Sequence, residues 1–121
     1  MQVQWSRRTV PFLIVFVVTL VMLFSPGSTV PSGPPYSDKV IHLLMFLALA
    51  VAARYAGFRA RWVLLGGLLY AAVSEIVQAV LPIERSGSVW DWAADTVGVL
   101  VGLGLVVAWQ AGKRKSAAAV D

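Results

Sequence analysis

Four apolar runs, each near the length of a bilayer crossing, constrain this chain more than any other feature. They cover roughly residues 9–24, 38–58, 61–81 and 90–109. A helix rising 1.5 Å per residue needs about 20 residues to cross about 30 Å of hydrocarbon. The runs are unbroken and rich in Leu and Ala, without period-two alternation, so they read as helices rather than as strands of a membrane barrel. Breakers separate them: SPGSTVPSGPPYS carries Pro and Gly and no charge, and AGFRA and PIERSGSV make the other two connections. Composition agrees, because 59% hydrophobic residues and a mean hydropathy of +0.78 leave too little polar surface to coat a water-soluble globule. The 121 residues therefore make one domain, an all-α bundle of four transmembrane helices with a basic tail over 110–121. The absence of cysteine excludes a disulfide framework and a thiolate metal site.

Basic residues set the orientation. Arg7 and Arg8 precede the first run, Arg54, Arg59 and Arg61 surround the second connection, and Lys113, Arg114 and Lys115 follow the fourth run. Only Lys39 and Arg85 lie on the other side. Basic loops stay cytoplasmic, so both termini are expected inside. Trp5, Tyr55, Trp62 and Trp109 then mark the inner interface, and Tyr36, Trp90 and Trp92 the outer one. The net charge of +4 is thus a topology signal that also meets anionic lipid, and no nucleic-acid partner is expected. The start, SRRTVPFLI, partly resembles a twin-arginine export signal. No small-x-small cleavage site follows Phe24, so the first run is read as an uncleaved anchor.

Against this apolar background the segment YSDKVIHLLMF places Asp38, Lys39 and His42 at the start of a span. Asp38 and His42 are four apart and share one helix face. His42 lies about 6 Å below the outer end, while Glu75 and Gln78, three apart, lie about 9–10 Å and 5 Å from the outer end of the third span. Asp91 and Asp95, four apart, open the fourth span, with Asp95 about 6 Å in. An ionisable side chain in a bilayer costs upward of about 2.5 kcal/mol. Three helices placing such groups at one depth point to a shared polar pocket open to the outer face. On the fourth span Asp91, Asp95, Gly98 and Gly102 form one stripe, and the GxxxG of Gly98 and Gly102 admits a neighbouring helix. A stripe of Gly67, Ala71, Ser74 or Glu75, and Gln78 runs down the third.

The segments DKVIHLLMF and SEIVQAVLPIERSGSVWDWAADTVGVLVG, with four spans, resemble the VanZ-like family over most of residues 38–102. The family pattern falls on Asp38, Lys39, His42, Glu75, Gln78, Arg85, Asp91, Asp95, Gly98 and Gly102. Asp95 departs from it, since the family commonly has Asn there. The resemblance implies a multi-pass protein of the bacterial cytoplasmic membrane, a cell-envelope setting and a link to the glycopeptide teicoplanin, but no reaction.

Several of these residues have plain structural readings. Ser88 and Asp91 match a capping box, and Asp38 sits in a first turn, where the helix dipole favours an acid. Glu75 and His42 are expected to cap nothing, although they could clasp two helices, and Gln78 reads more readily as an interhelical clasp than as a ligand contact. Five outer acids, Asp38, Glu75, Glu84, Asp91 and Asp95, stand against Lys39 and Arg85, a balance of −3. A proton on Glu75, Asp95 or His42, or a bound cation, must relieve it.

Three uses follow. In the first, the pocket binds or processes an outer-leaflet envelope ligand such as a lipid-linked cell-wall intermediate. Here Asp38, Lys39, Gln78, Arg85 and Asp91 bind, with Lys39 and Arg85 on phosphate. His42 is then the candidate general base, oriented or charged by Glu75 or Asp95. In the second, the cluster is a clasp in a non-catalytic subunit with a membrane-protein partner. In the third it is part of a proton or ion path, against which stands the lack of acids and histidines in the inner half. No nucleophile motif is present, Ser74 being a weak candidate. His42 with carboxylates could make a metal site, although one histidine outside an HxxxH or HExxH spacing is a weak signal for it. No cofactor is expected, a divalent cation entering only through such a site or as charge relief.

Overall fold

In the computed structural model, residues 7–25, 37–82 and 88–120 are described. They form four helices, α1 (Thr9–Phe24), α2 (Ser37–Ala56), α3 (Ala60–Val80) and α4 (Val89–Val120), with no strand among the described residues. Helices α2, α3 and α4 are long and apolar enough to cross a membrane, and α1 is a shorter apolar helix of 16 residues. At 32 residues α4 runs about 48 Å, so the basic segment expected as a tail continues the helix well past the bilayer.

The helix ends follow local chemistry. Gly57, at φ 111°, closes α2: its N–H bonds the Arg54 carbonyl at 3.1 Å and the Phe58 N–H bonds the Ala53 carbonyl at 3.1 Å. This is a Schellman motif, and glycine takes its left-handed residue without strain. Arg54 adds a bond from its guanidinium to the Phe58 carbonyl at 2.8 Å. Helices α1 and α3 both stop before a proline. Ser25 and Leu81 precede Pro26 and Pro82 and are extended, at ψ 144° and 143°, because a following proline disfavours the helical conformation.

Helix α2 is the hub, packing on all three other helices, and α4 is its main partner. Helix α4 also packs on α3, while α1 lies mainly on α2. Gly98 and Gly102 make the α2–α4 contact: a Cβ on Gly98 would stand 2.3 Å from the Leu43 carbonyl oxygen, and one on Gly102 2.7 Å from that of Leu47. Gly67 of α3 faces the Val99 side chain in the same way. The GxxxG stripe thus faces the second span, and the α3 stripe meets the fourth at Gly67. In lipid such close backbone approach, rather than removal of apolar surface from water, drives helix association. Leu23, Phe46, Ala71 and Val99 are fully or almost fully buried between the helices, and Phe12, Phe16 and Tyr70 join them through ring contacts.

Cations and aromatic rings meet at the expected inner end. Arg8 lies over Tyr55, Arg61 over Trp62 and Lys113 over Trp109, at 4.9, 5.4 and 4.3 Å. Amphipathic rings and long basic side chains belong at the headgroup level. Trp90 and Trp92 are exposed at the opposite end. Trp5 and Tyr36 lie outside the described residues.

Candidate functional site

The first turns of α2 and α4 and the last turns of α3 come together at the end expected to face outward. His42 of α2 and Asp95 of α4 are joined at 2.8 Å through Nδ1 and Oδ1. Glu75 of α3 brings Oε1 to 4.0 Å from the same nitrogen. His42 is 5% exposed, Glu75 8% and Asp95 0%, so all three are buried. Gly98 makes this meeting possible, because it sits one turn below Asp95 and lets α4 touch the α2 backbone beside His42.

Closer to the surface, Lys39 Nζ lies 3.2 Å from Asp91 Oδ1 and 3.5 Å from Asp38 Oδ2. Asp38 is largely exposed, whereas Asp91 is buried. The two α4 acids, though on one face, therefore take different partners, Asp91 the lysine and Asp95 the histidine. Lys39 is committed to carboxylates, which weakens its expected role as a phosphate contact. Arg85 and Glu84 lie outside the described residues.

The cap of α4 departs from expectation. Ser88 Oγ accepts from the N–H groups of Trp90 and Asp91 at 3.2 and 3.4 Å, as an N-cap does. In a capping box Asp91 would return a bond to the Ser88 N–H. Instead Glu75, reaching across from α3, accepts that N–H at 3.0 Å through Oε2. Glu75 thus has the capping role the sequence reading denied it, because Asp91 is drawn aside by Lys39.

Gln78 turns away from the cluster. Its Nε2 donates to the Leu23 carbonyl at 2.8 Å and ties α3 to the last turn of α1, where helix carbonyls lack partners. Ser74 is fully buried and donates to the Ala71 carbonyl at 2.8 Å, so it presents no nucleophile. One polar tie escaped the sequence reading. Thr19 and Tyr70 share a hydrogen bond of 2.8 Å between the middles of α1 and α3. Thr19 is the lone hydroxyl in an otherwise apolar run after Thr9, which was the available signal.

Among the described residues, three buried acceptor oxygens have no hydrogen-bond partner: Glu75 Oε1, Asp95 Oδ2 and Gln78 Oε1. Leaving a buried acceptor unpaired costs about 1–3 kcal/mol, and more when it is charged. On its α3–α4 side the cluster borders a groove of about 380 Å³ lined by Glu75, Ile76, Ala79, Ser88, Val89 and Trp92, among others. The groove is apolar except for Glu75 and Ser88, and it lies on the outer flank of the bundle. The arrangement can therefore accept hydrogen bonds or positive charge at its inner wall and hold an apolar chain along the others.

No curated protein and no solved structure matches the chain. The family model described as VanZ/LLP1 matches residues 2–110, which take in α1, α2, α3 and the membrane-spanning part of α4 with every residue of the cluster; the chain belongs to that family.

Proposed function

We propose that this multi-pass membrane protein binds an outer-leaflet amphiphile of the bacterial cell envelope, a lipid-linked cell-wall intermediate being the chemical class that fits. The observation that carries the reading is the unpartnered Glu75 Oε1, on a residue that lines the groove on the α3–α4 flank, with a second unpartnered oxygen, Asp95 Oδ2, buried behind it in the same cluster. Sugar hydroxyls and amide N–H groups of such a headgroup donate to carboxylates, and the lipid tail lies along Ile76, Ala79 and Trp92. His42, held by Asp95, is the group placed to move a proton if the ligand is processed. Sequestering a cell-wall intermediate changes its availability to glycopeptides, so teicoplanin susceptibility is the phenotype to follow.

A second reading has its own support. The His42–Asp95 bond and the Glu75–Ser88 bond tie α2 to α4 and α3 to α4, as a clasp in an assembly subunit would. A clasp alone leaves the two carboxylate oxygens unexplained. A proton path is favoured less. Below the cluster, the Thr19–Tyr70 hydroxyls supply a polar pair, but no acid or histidine follows them towards the inner end of the described bundle.

The test replaces His42 by Ala and Glu75 by Gln separately and measures membrane abundance, teicoplanin susceptibility and co-purifying lipid. Normal abundance with altered susceptibility and lost lipid is expected. Lost abundance supports the clasp, and unchanged behaviour in all three measurements refutes a working pocket.

A further inference from the structure

We infer that His42, Glu75 and Asp95 form a site for one transition-metal dication, Zn²⁺ or Mn²⁺, held between α2, α3 and α4. The sequence carries no metal motif because each ligand comes from a different helix. The tertiary fold supplies the spacing that the chain lacks locally.

Each residue offers one ligand atom, and the three atoms lie within 4.8 Å of one another. Two atoms bound at about 2.1 Å to one ion stand about 3.0 Å apart at a right angle and about 3.4 Å apart at a tetrahedral angle. The separations from His42 Nδ1, 2.8 Å to Asp95 and 4.0 Å to Glu75, bracket those values. The third separation, between the two carboxylates, is at most 4.8 Å, so bringing all three onto one ion draws that pair together by up to about 1.4 Å, within the reach of side-chain rotation.

The unpartnered oxygens are the independent observation. Glu75 Oε1 and Asp95 Oδ2 belong to residues more than nine-tenths buried, and neither accepts a hydrogen bond. A clasp or a cap places oxygens on donors, whereas these two lack donors beside an imidazole nitrogen. Their outer-shell support is in place. Glu75 is held by the Ser88 N–H through Oε2, which leaves Oε1 turned towards His42. Metal-ligating carboxylates are fixed by hydrogen bonds of this kind.

One imidazole and two carboxylates make a mixed donor set. It offers fewer oxygens than Ca²⁺ takes; the imidazole suits borderline Zn²⁺, and the two carboxylates also suit the harder Mn²⁺. Three protein ligands leave a position for water or for a ligand atom. The ion neutralises the two acids, and it gives an otherwise acidic site an affinity for anionic headgroups. The inference concerns the site of the proposed function. With the ion bound, the two oxygens ligate it and a headgroup meets the ion's open position instead of those oxygens; the metal site stands whether or not an envelope lipid binds there.

The test is uptake of Zn²⁺ and Mn²⁺ by the purified full chain in detergent, with no lipid ligand added, followed by calorimetry and elemental analysis. One ion per chain is expected. Loss of an outer-shell partner typically weakens metal binding 10- to 100-fold, so Glu75→Gln and Asp95→Asn are each expected to weaken it by about 100-fold or more. Circular dichroism and gel filtration report whether each variant is folded. Should a variant fail to fold, the zinc X-ray absorption spectrum of the unaltered chain decides, and imidazole-plus-oxygen coordination is expected. The inference is overturned by no uptake at about 1 mM ion, by uptake unchanged in folded variants, or by a spectrum without imidazole. Ion binding with unaltered teicoplanin susceptibility and no co-purifying lipid would retain the metal site and reject the lipid reading.

Discussion

Gly98→Ala tests the packing on which the polar cluster depends. The added Cβ would stand 2.3 Å from the Leu43 carbonyl oxygen and 3.1 Å from the Leu43 carbonyl carbon and the Leu47 nitrogen. All three are backbone atoms of α2, so no side-chain rotation relieves the overlap. An ordinary carbon–oxygen contact is about 3.3 Å, and the helices must part by about 1 Å to reach it. Parting them here lengthens the His42–Asp95 contact from 2.8 Å towards about 3.8 Å, outside hydrogen-bond range. Overpacking of this kind costs about 1–3 kcal/mol, and an interhelical hydrogen bond in a membrane protein contributes about 0.6 kcal/mol and at most about 1.7. The expected destabilisation is about 2–4 kcal/mol, read by equilibrium unfolding of the protein in mixed micelles with increasing SDS. Gly104→Ala is the control: nothing lies within 4 Å of its Cβ, and alanine is the better helix former. It should be neutral or slightly stabilising. A Gly98→Ala protein as stable as the Gly104→Ala control would refute the close α2–α4 approach and, with it, the geometry of the cluster.

Two further outcomes are expected. Gln78→Leu removes the bond to the Leu23 carbonyl and should lower stability by about 1 kcal/mol in the same unfolding assay, with the outer cluster's ligand binding intact; loss of ligand binding at unchanged stability would return Gln78 to the site. Because the chain has no cysteine, single cysteines report topology cleanly: Asp38→Cys should react with an impermeant maleimide in intact cells and Lys113→Cys only after permeabilisation, and the reverse pattern would invert the assigned orientation.

The positions of the polar residues along the chain carry much of the site, yet the partners they choose do not follow from spacing. Asp91 and Asp95 lie on one helix face, but the side-chain reach of Lys39 separates them, one to the lysine and one to the histidine. Gln78 shares a face with Glu75 three residues away, yet it serves the end of α1. The capping box written in Ser88 and Asp91 is completed by Glu75 from another helix. In each case the residue type and depth were legible, whereas the neighbour across the helix boundary was not.

The sequence alone determined four helices and their approximate ends, and it set the expected orientation and the level at which charge enters the apolar runs. The reason is local: hydrocarbon requires each backbone polar group to be satisfied within its own helix, span length follows from bilayer thickness, and basic loops stay inside. Only the tertiary structure decided which faces meet. Helices that are apolar nearly all round carry little periodic signal of their inner side, so rotation is settled by where backbones can touch, at Gly98, Gly102 and Gly67. Those contacts bring His42, Glu75 and Asp95 together and leave two of their oxygens without a hydrogen-bond donor.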